Sequence, residues 1–134
     1  MDGLSVELLQ LPARFFSAID SGEYNHAAQY MGQNGIWHRQ GKQLEGVAGV
    51  LEALRDRAAD RHTAHVVTNI VADPNENGGS VSFLLTAYEY VGDATAPYPL
   101  DRAKGIGRYV ANCCVENGML KIAELSSRII FKAP

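Results

Sequence analysis

Cysteine is scarce in this chain: it occurs twice in 134 residues, at the adjacent positions Cys113 and Cys114. Neighbouring residues of a strand point to opposite faces, so this pair neither bridges readily nor chelates a metal together. Reduced thiols of this kind fit a cytoplasmic protein. Long apolar runs are missing too, and nothing approaches the ~20 residues that a membrane span requires. A basic leader with an apolar stretch and a small-residue cleavage site is likewise not seen, so no membrane partner is expected. There is no basic excess: 12 Lys+Arg stand against 15 Asp+Glu, a net charge of −3, which argues against a nucleic-acid partner. The 4 histidines do not fall in a metal-ligand spacing with carboxylates, so no metal is expected. No Gly-rich phosphate loop and no strained nucleophile elbow occur. What remains is ordinary globular composition, 46% hydrophobic and 20% charged, in a chain that reads as one domain spanning 1–134.

The patterning begins with Leu8, Leu9, Leu11, Phe15, Phe16 and Ile19, spaced as the apolar stripe of an amphipathic helix. Pro12 interrupts that stripe, so the helix proper is expected to start there, with the proline in its first turn. Asp20 and Glu23 have capping-box spacing for a short second helix ending near Tyr30-Met31. Asn34 to Glu45 reads as a hairpin around Gln40-Gly41-Lys42, and Val47, Val50, Leu51 and Leu54 form the apolar face of a third helix. Strands are expected over His62–Asp73, Ser80–Val91, Lys104–Glu116 and Met119–Phe131. The turn cluster at 74–79 separates the first two, and Asn117-Gly118 joins the last two as a type I′ hairpin. The loop from Gly92 to Asp101 is the least regular segment. Helices placed before a long antiparallel meander predict an α+β domain, a bent sheet closed by three N-terminal helices around a pocket.

These residues resemble the SnoaL-like branch of the nuclear-transport-factor-2-like superfamily, which includes scytalone dehydratase, hexachlorocyclohexane dehydrochlorinase and bile-acid dehydratase. The likeness is carried by Ala18-Ile19-Asp20, Asn34-Gly35-Ile36-Trp37, Leu44-Glu45-Gly46 and Thr63-Ala64-His65 with Thr68-Asn69. Gly107-Arg108-Tyr109 and Glu116-Asn117-Gly118-Met119-Leu120-Lys121-Ile122 complete it. It implies a cone-shaped, cystatin-like fold over nearly the whole chain. In the eliminating members an aspartate at the position of Asp20 pairs with a histidine at that of His65, which removes or relays a proton as a leaving group departs. The resemblance therefore implies a cofactor-independent lyase or isomerase for a small, largely apolar, perhaps cyclic substrate. Departures exist: Asn34-Gly35 replaces the branch's frequent Asp-Gly, Ile19 stands where scytalone dehydratase has a tyrosine, and its second histidine falls near Tyr88 or Tyr90.

An imidazole whose Nδ1 proton is held by a carboxylate keeps one tautomer and gains basicity, so Asp20 is the expected orienting group and His65 the expected base. Strand alternation sends Trp37 and His38 to opposite faces, so only one is expected to line the cavity. The resemblance to the dehydrochlorinase favours Trp37 as a pocket wall, whereas scytalone dehydratase favours a contact from His38. Tyr88 and Tyr90 share a strand face and suit either a pocket wall or an interface; a phenol there would stabilise enolate-like charge. Glu124 and Arg128 share a face of the last strand, as a substrate-anchoring pair or a surface ion pair. Two alternatives stand beside the lyase: a non-catalytic ligand-binding or assembly module of the dioxygenase β-subunit kind, and a polyketide-cyclase-like aldol catalyst using Glu124. A homodimer through the outer sheet face is expected, because cones of this kind often pair there.

Overall fold

The computed structural model describes residues 3–134. It begins with α1 (Gly3–Asp20), which runs through Pro12 instead of starting at it. An interior proline forfeits one helical hydrogen bond and costs about 3 kcal/mol. Here the residues flanking it are buried: Leu8 is 0% exposed, Leu11 3%, Phe15 1% and Phe16 2%. Each such side chain contributes about 1.5–3 kcal/mol by leaving water, so packing on both sides of Pro12 outweighs the lost bond.

The short α2 (Tyr24–Ala28) follows without any side-chain cap, and the chain already enters β1 (Met31–Arg39) at Met31. Asp20 does not cap α2, as its spacing to Glu23 would allow; its carboxylate is engaged across the molecule by β3, as described below. After β1 come β2 (Lys42–Glu45), α3 (Gly46–Arg55), β3 (Arg61–Asn75), β4 (Gly78–Val91), β5 (Gly105–Glu116) and β6 (Met119–Lys132). Both two-residue hairpin loops, Gln40-Gly41 and Asn117-Gly118, have positive φ at both positions, as a type I′ turn requires.

The strands form one sheet in the order β2-β1-β6-β5-β4-β3. All neighbours are antiparallel except β1 and β6, which pair in parallel with Trp37 beside Leu125. That pairing joins the hairpin to the meander. The turn expected at 74–79 is tighter than its composition suggests, since Pro74 pairs with Gly79 inside the β3–β4 ladder. A proline is tolerated there because β3 is an edge strand.

Register breaks between Thr68 and Val71, Ile106 and Gly107, and Asn112 and Cys113 mark bulges or irregularities of the kind that bend strands and curl a sheet. α1 packs against β3 and β4, while α3 packs on β1 and α2. The core lies between them, with Leu8, Phe15, Val50, Leu54, Val81, Ile122 and Leu125 no more than 2% exposed. Packing thus fills one end of the curled sheet, and the other end stays open. Among the described residues no helix is long and apolar enough to cross a membrane.

Candidate active site

Asp20 is the last residue of α1, where the helix dipole disfavours a carboxylate. Three donors from β3 compensate. The His65 backbone N–H donates to Oδ2 at 2.7 Å, the Thr63 hydroxyl to Oδ1 at 2.7 Å, and His65 Nδ1 lies 2.6 Å from Oδ1. Burial by itself raises the Asp20 pKa, but the hydrogen bonds from His65 and Thr63 and the electrostatic influence of His65 outweigh it, and the net shift is downward. An ionised Asp20 keeps the His65 proton on Nδ1. Nε2 then carries the lone pair and has no protein partner among the described residues.

Arg57, just beyond α3, braces this arrangement. One guanidinium nitrogen donates to the Thr63 hydroxyl at 2.8 Å and another to the Ile19 carbonyl at 3.3 Å, satisfying a helix-end acceptor. Its Nε is buried with no partner among the described residues. The order is thus Arg57 to Thr63 to Asp20 to His65.

His65 faces a cavity of about 790 Å³ at the open end of the sheet. Phe16, Ile19, Trp37 and Leu85 form its apolar wall. The Phe16 ring lies 5.1 Å from the imidazole, and Trp37 packs edge-on to both Phe15 and Phe16. Tyr109 also lines the cavity, stacked on Phe83 at 5.3 Å. Burial pushes its phenol up despite the opposing influence of Ser127 and Arg39, so the hydroxyl keeps its proton.

The remaining lining is strongly cationic. Arg39, Arg57 and Arg61 face the cavity, and Lys42, Lys104 and Lys132 stand at its exposed rim. Glu89 is the carboxylate among the lining residues, and it holds Arg61 at 2.8 Å. The Arg39 guanidinium lies over the Trp37 ring, 5.1 Å from its centre, with no carboxylate partner among the described residues. Burial lowers the Arg39 pKa, and the fields of Arg61 and Arg57 lower it further.

The residues singled out in the sequence separate into two groups. Asp20, His65 and Trp37 come together at the cavity, and Tyr88 borders it. His38 borders it as well, although alternation allowed only one of Trp37 and His38; its ring nitrogen is engaged by Glu124 at 2.9 Å. Glu124 and Arg128 are exposed and lie outside the cavity, because inward-facing Leu125 and Ser127 alternate with them on β6. They do not anchor a substrate there, and Glu124 pairs with His38, not with Arg128. Tyr90 does not line it either: its ring stacks on Tyr98 at 5.3 Å, and Tyr98 covers His62 at 4.4 Å.

Thr63, Arg57, Arg61, Arg39 and Tyr109 were not among the expected site residues. Alternation carries a signal for three of them: Thr63 and Arg61 share the strand face of His65, and Arg39 shares that of Trp37. No three or more His, Cys, Asp or Glu among the described residues are grouped to hold a metal ion.

Comparison with known proteins settles the family. Residues 5–126 match the SnoaL-like domain. The chain belongs to the SnoaL-like family. Solved structures place this SnoaL-like protein among cystatin-like folds, at low sequence identity. An NTF2-like protein with a cystatin-like fold from Novosphingobium aromaticivorans is 12% identical, with TM-score 0.78 over 93% of this chain and 80% of that one. ActVI-ORFA from Streptomyces coelicolor is 14% identical, with TM-score 0.75 over 97% of each chain. An LEH-like epoxide hydrolase from Mycobacterium tuberculosis is 17% identical, with TM-score 0.69 over 93% of this chain and 84% of that one. At these identities the likeness is one of fold. No curated protein is significantly similar in sequence to this SnoaL-like chain.

Proposed function

We propose that this SnoaL-like protein is a cofactor-independent lyase or isomerase, with His65 as the base and Asp20 as the group that orients it. The observation that carries this reading is the 2.6 Å contact between Asp20 Oδ1 and His65 Nδ1, with Nε2 left for a ligand in an apolar-walled cavity. His65 Nε2 would take a proton from a carbon next to an activating carbonyl. The C–H electron pair passes into an enolate, and its negative charge is met by the neutral Tyr109 phenol. Expulsion of a β-leaving group by that pair, with the imidazolium proton passed to the departing group, completes an elimination. Return of the proton from the imidazolium to another carbon completes an isomerisation. Either route begins and ends with neutral His65 and needs no electron acceptor.

The aldol-cyclase alternative requires an acid on β6 at the substrate, and Glu124 is instead held by His38. An assembly scaffold can fill its cone with side chains; an open cavity favours a protein that takes up a small molecule. The test is solvent-deuterium incorporation into a panel of cyclic ketones and related carbon acids, followed by NMR. His65→Gln is expected to lower exchange by about 10²–10⁴-fold with the melting profile preserved. Full exchange in that variant would end the proposal.

A further inference from the structure

The charge of the cavity is opposite to the charge of the chain. The protein carries a net charge of −3, yet its cavity gathers three arginines and three rim lysines against one lining carboxylate. Two of the arginines are already committed. Arg61 is paired with Glu89, and both terminal nitrogens of Arg57 donate to Thr63 and Ile19. Arg39 is not: it lies across the Trp37 ring, partly buried, with no carboxylate among the described residues to balance it. Burying an unpaired guanidinium beside two others is unfavourable, and a bound anion removes that penalty. A guanidinium also presents a planar donor fork that matches a carboxylate in two parallel hydrogen bonds.

We infer that the ligand of this cavity is an organic acid, its apolar ring body lying on Phe16, Trp37 and Leu85 and its carboxylate on Arg39. The largely apolar substrate expected from sequence is thereby replaced by an amphipathic one. This rests on the reading of the cavity as a substrate site, and it adds which compounds that site selects. The carboxylate serves as the handle, and the apolar wall holds the ring within reach of His65. The rim lysines are exposed and so draw the acid in with a salt-dependent attraction, without fixing its pose.

A matched pair of ligands tests this: 1-naphthylacetate and the uncharged 1-naphthylacetamide, titrated calorimetrically into the full-length protein. The acid is expected to bind about tenfold tighter or more, the usual worth of a hydrogen bond to a charged group. Arg39→Gln should erase the preference, whereas Arg39→Lys, which keeps the charge without the fork, should retain part of it. Added salt should weaken the acid and leave the amide unchanged. Equal affinities for the pair, tighter binding of the amide, no binding of the acid, or a preference that survives in folded Arg39→Gln would each overturn the inference. His65→Gln separates the two proposals, because it should retain selective acid binding while losing proton exchange. Selective binding without exchange in the wild type would leave this inference standing and remove the catalytic one; exchange without acid selectivity would do the reverse.

Discussion

Asp20 shows how one side chain answers to competing demands. Its spacing to Glu23 is that of a helix cap, and its place at the end of α1 is electrostatically poor for a carboxylate. Three donors from Thr63 and His65 decide the matter and hold its pKa below the usual carboxylate range, in spite of burial. The sign of the linkage follows. A carboxyl whose folded pKa is depressed contributes stability that is complete above its unfolded value and is lost as pH falls through the folded one. Urea unfolding across the acid limb should show that loss, and Asp20→Asn should flatten it. An unchanged acid limb in the variant would mean that the donors do not favour the ionised form. Asp20→Ala leaves a hydroxyl and two N–H groups without their acceptor, so we expect a loss of about 1–3 kcal/mol at neutral pH. The pairing of Asp20 with His65 came into view through resemblance, because nothing local connects positions so far apart in sequence. Once His65 is taken as inward, alternation alone brings Thr63 and Arg61 to the same face, and Trp37 does the same for Arg39. Arg57 was beyond such reasoning: it sits in the turn after α3, and only the folded chain shows that it reaches Thr63.

Among the elements, the strands and both hairpins were legible because alternation and turn residues are local properties. Pro12 was misread because a proline in a helix is judged by its own chain, while the burial of Leu8 and Phe15 that compensates it comes from the sheet. The parallel pairing of β1 with β6 left no trace in the pattern, since strand periodicity says which face is inward and not which strand is adjacent. Close contact between elements also explains where glycine is required. At Gly78, φ is +143° and a Cβ would meet the Cys113 carbonyl oxygen at 2.4 Å, so β4 approaches β5 only without a side chain there. At Gly41, φ is +78° but nothing lies within 4 Å of the added carbon. Alanine at Gly41 should therefore cost about 1 kcal/mol, the left-handed penalty alone. Gly78→Ala should cost about 2 kcal/mol or more, with the clash added to the backbone strain. Denaturant midpoints of the two variants check the order; equal losses would show that the β4–β5 contact yields easily.

At the scale of the whole molecule, the curled sheet separates a cavity with a cationic lining from an outer face of mixed character. The net charge of −3 concealed this, because a sum over the sequence carries no geometry. On the outer face Val66, Val110 and Phe131 remain 45%, 37% and 66% exposed. Arg108 stands directly opposite Arg128, while Asn112 is opposite Glu124 and Val110 opposite Ser126. Like charges opposed in this way destabilise an isolated sheet, so this face calls for a counter-charge. A second copy would supply it. In a two-fold interface each surface meets itself, and an axis passing near Val110 and Ser126 would set Arg128 against the partner's Glu124 and the valines against each other. We therefore expect a homodimer, with light scattering giving twice the 14.6 kDa chain mass. Arg128→Glu would turn attraction into repulsion across that axis and bring the mass down to that of one chain, whereas exchanging both charges, Arg128→Glu with Glu124→Arg, should restore the pair. A wild-type protein that is monomeric at micromolar concentration would sink the expectation, and a dimer indifferent to Arg128→Glu would move the interface away from this face.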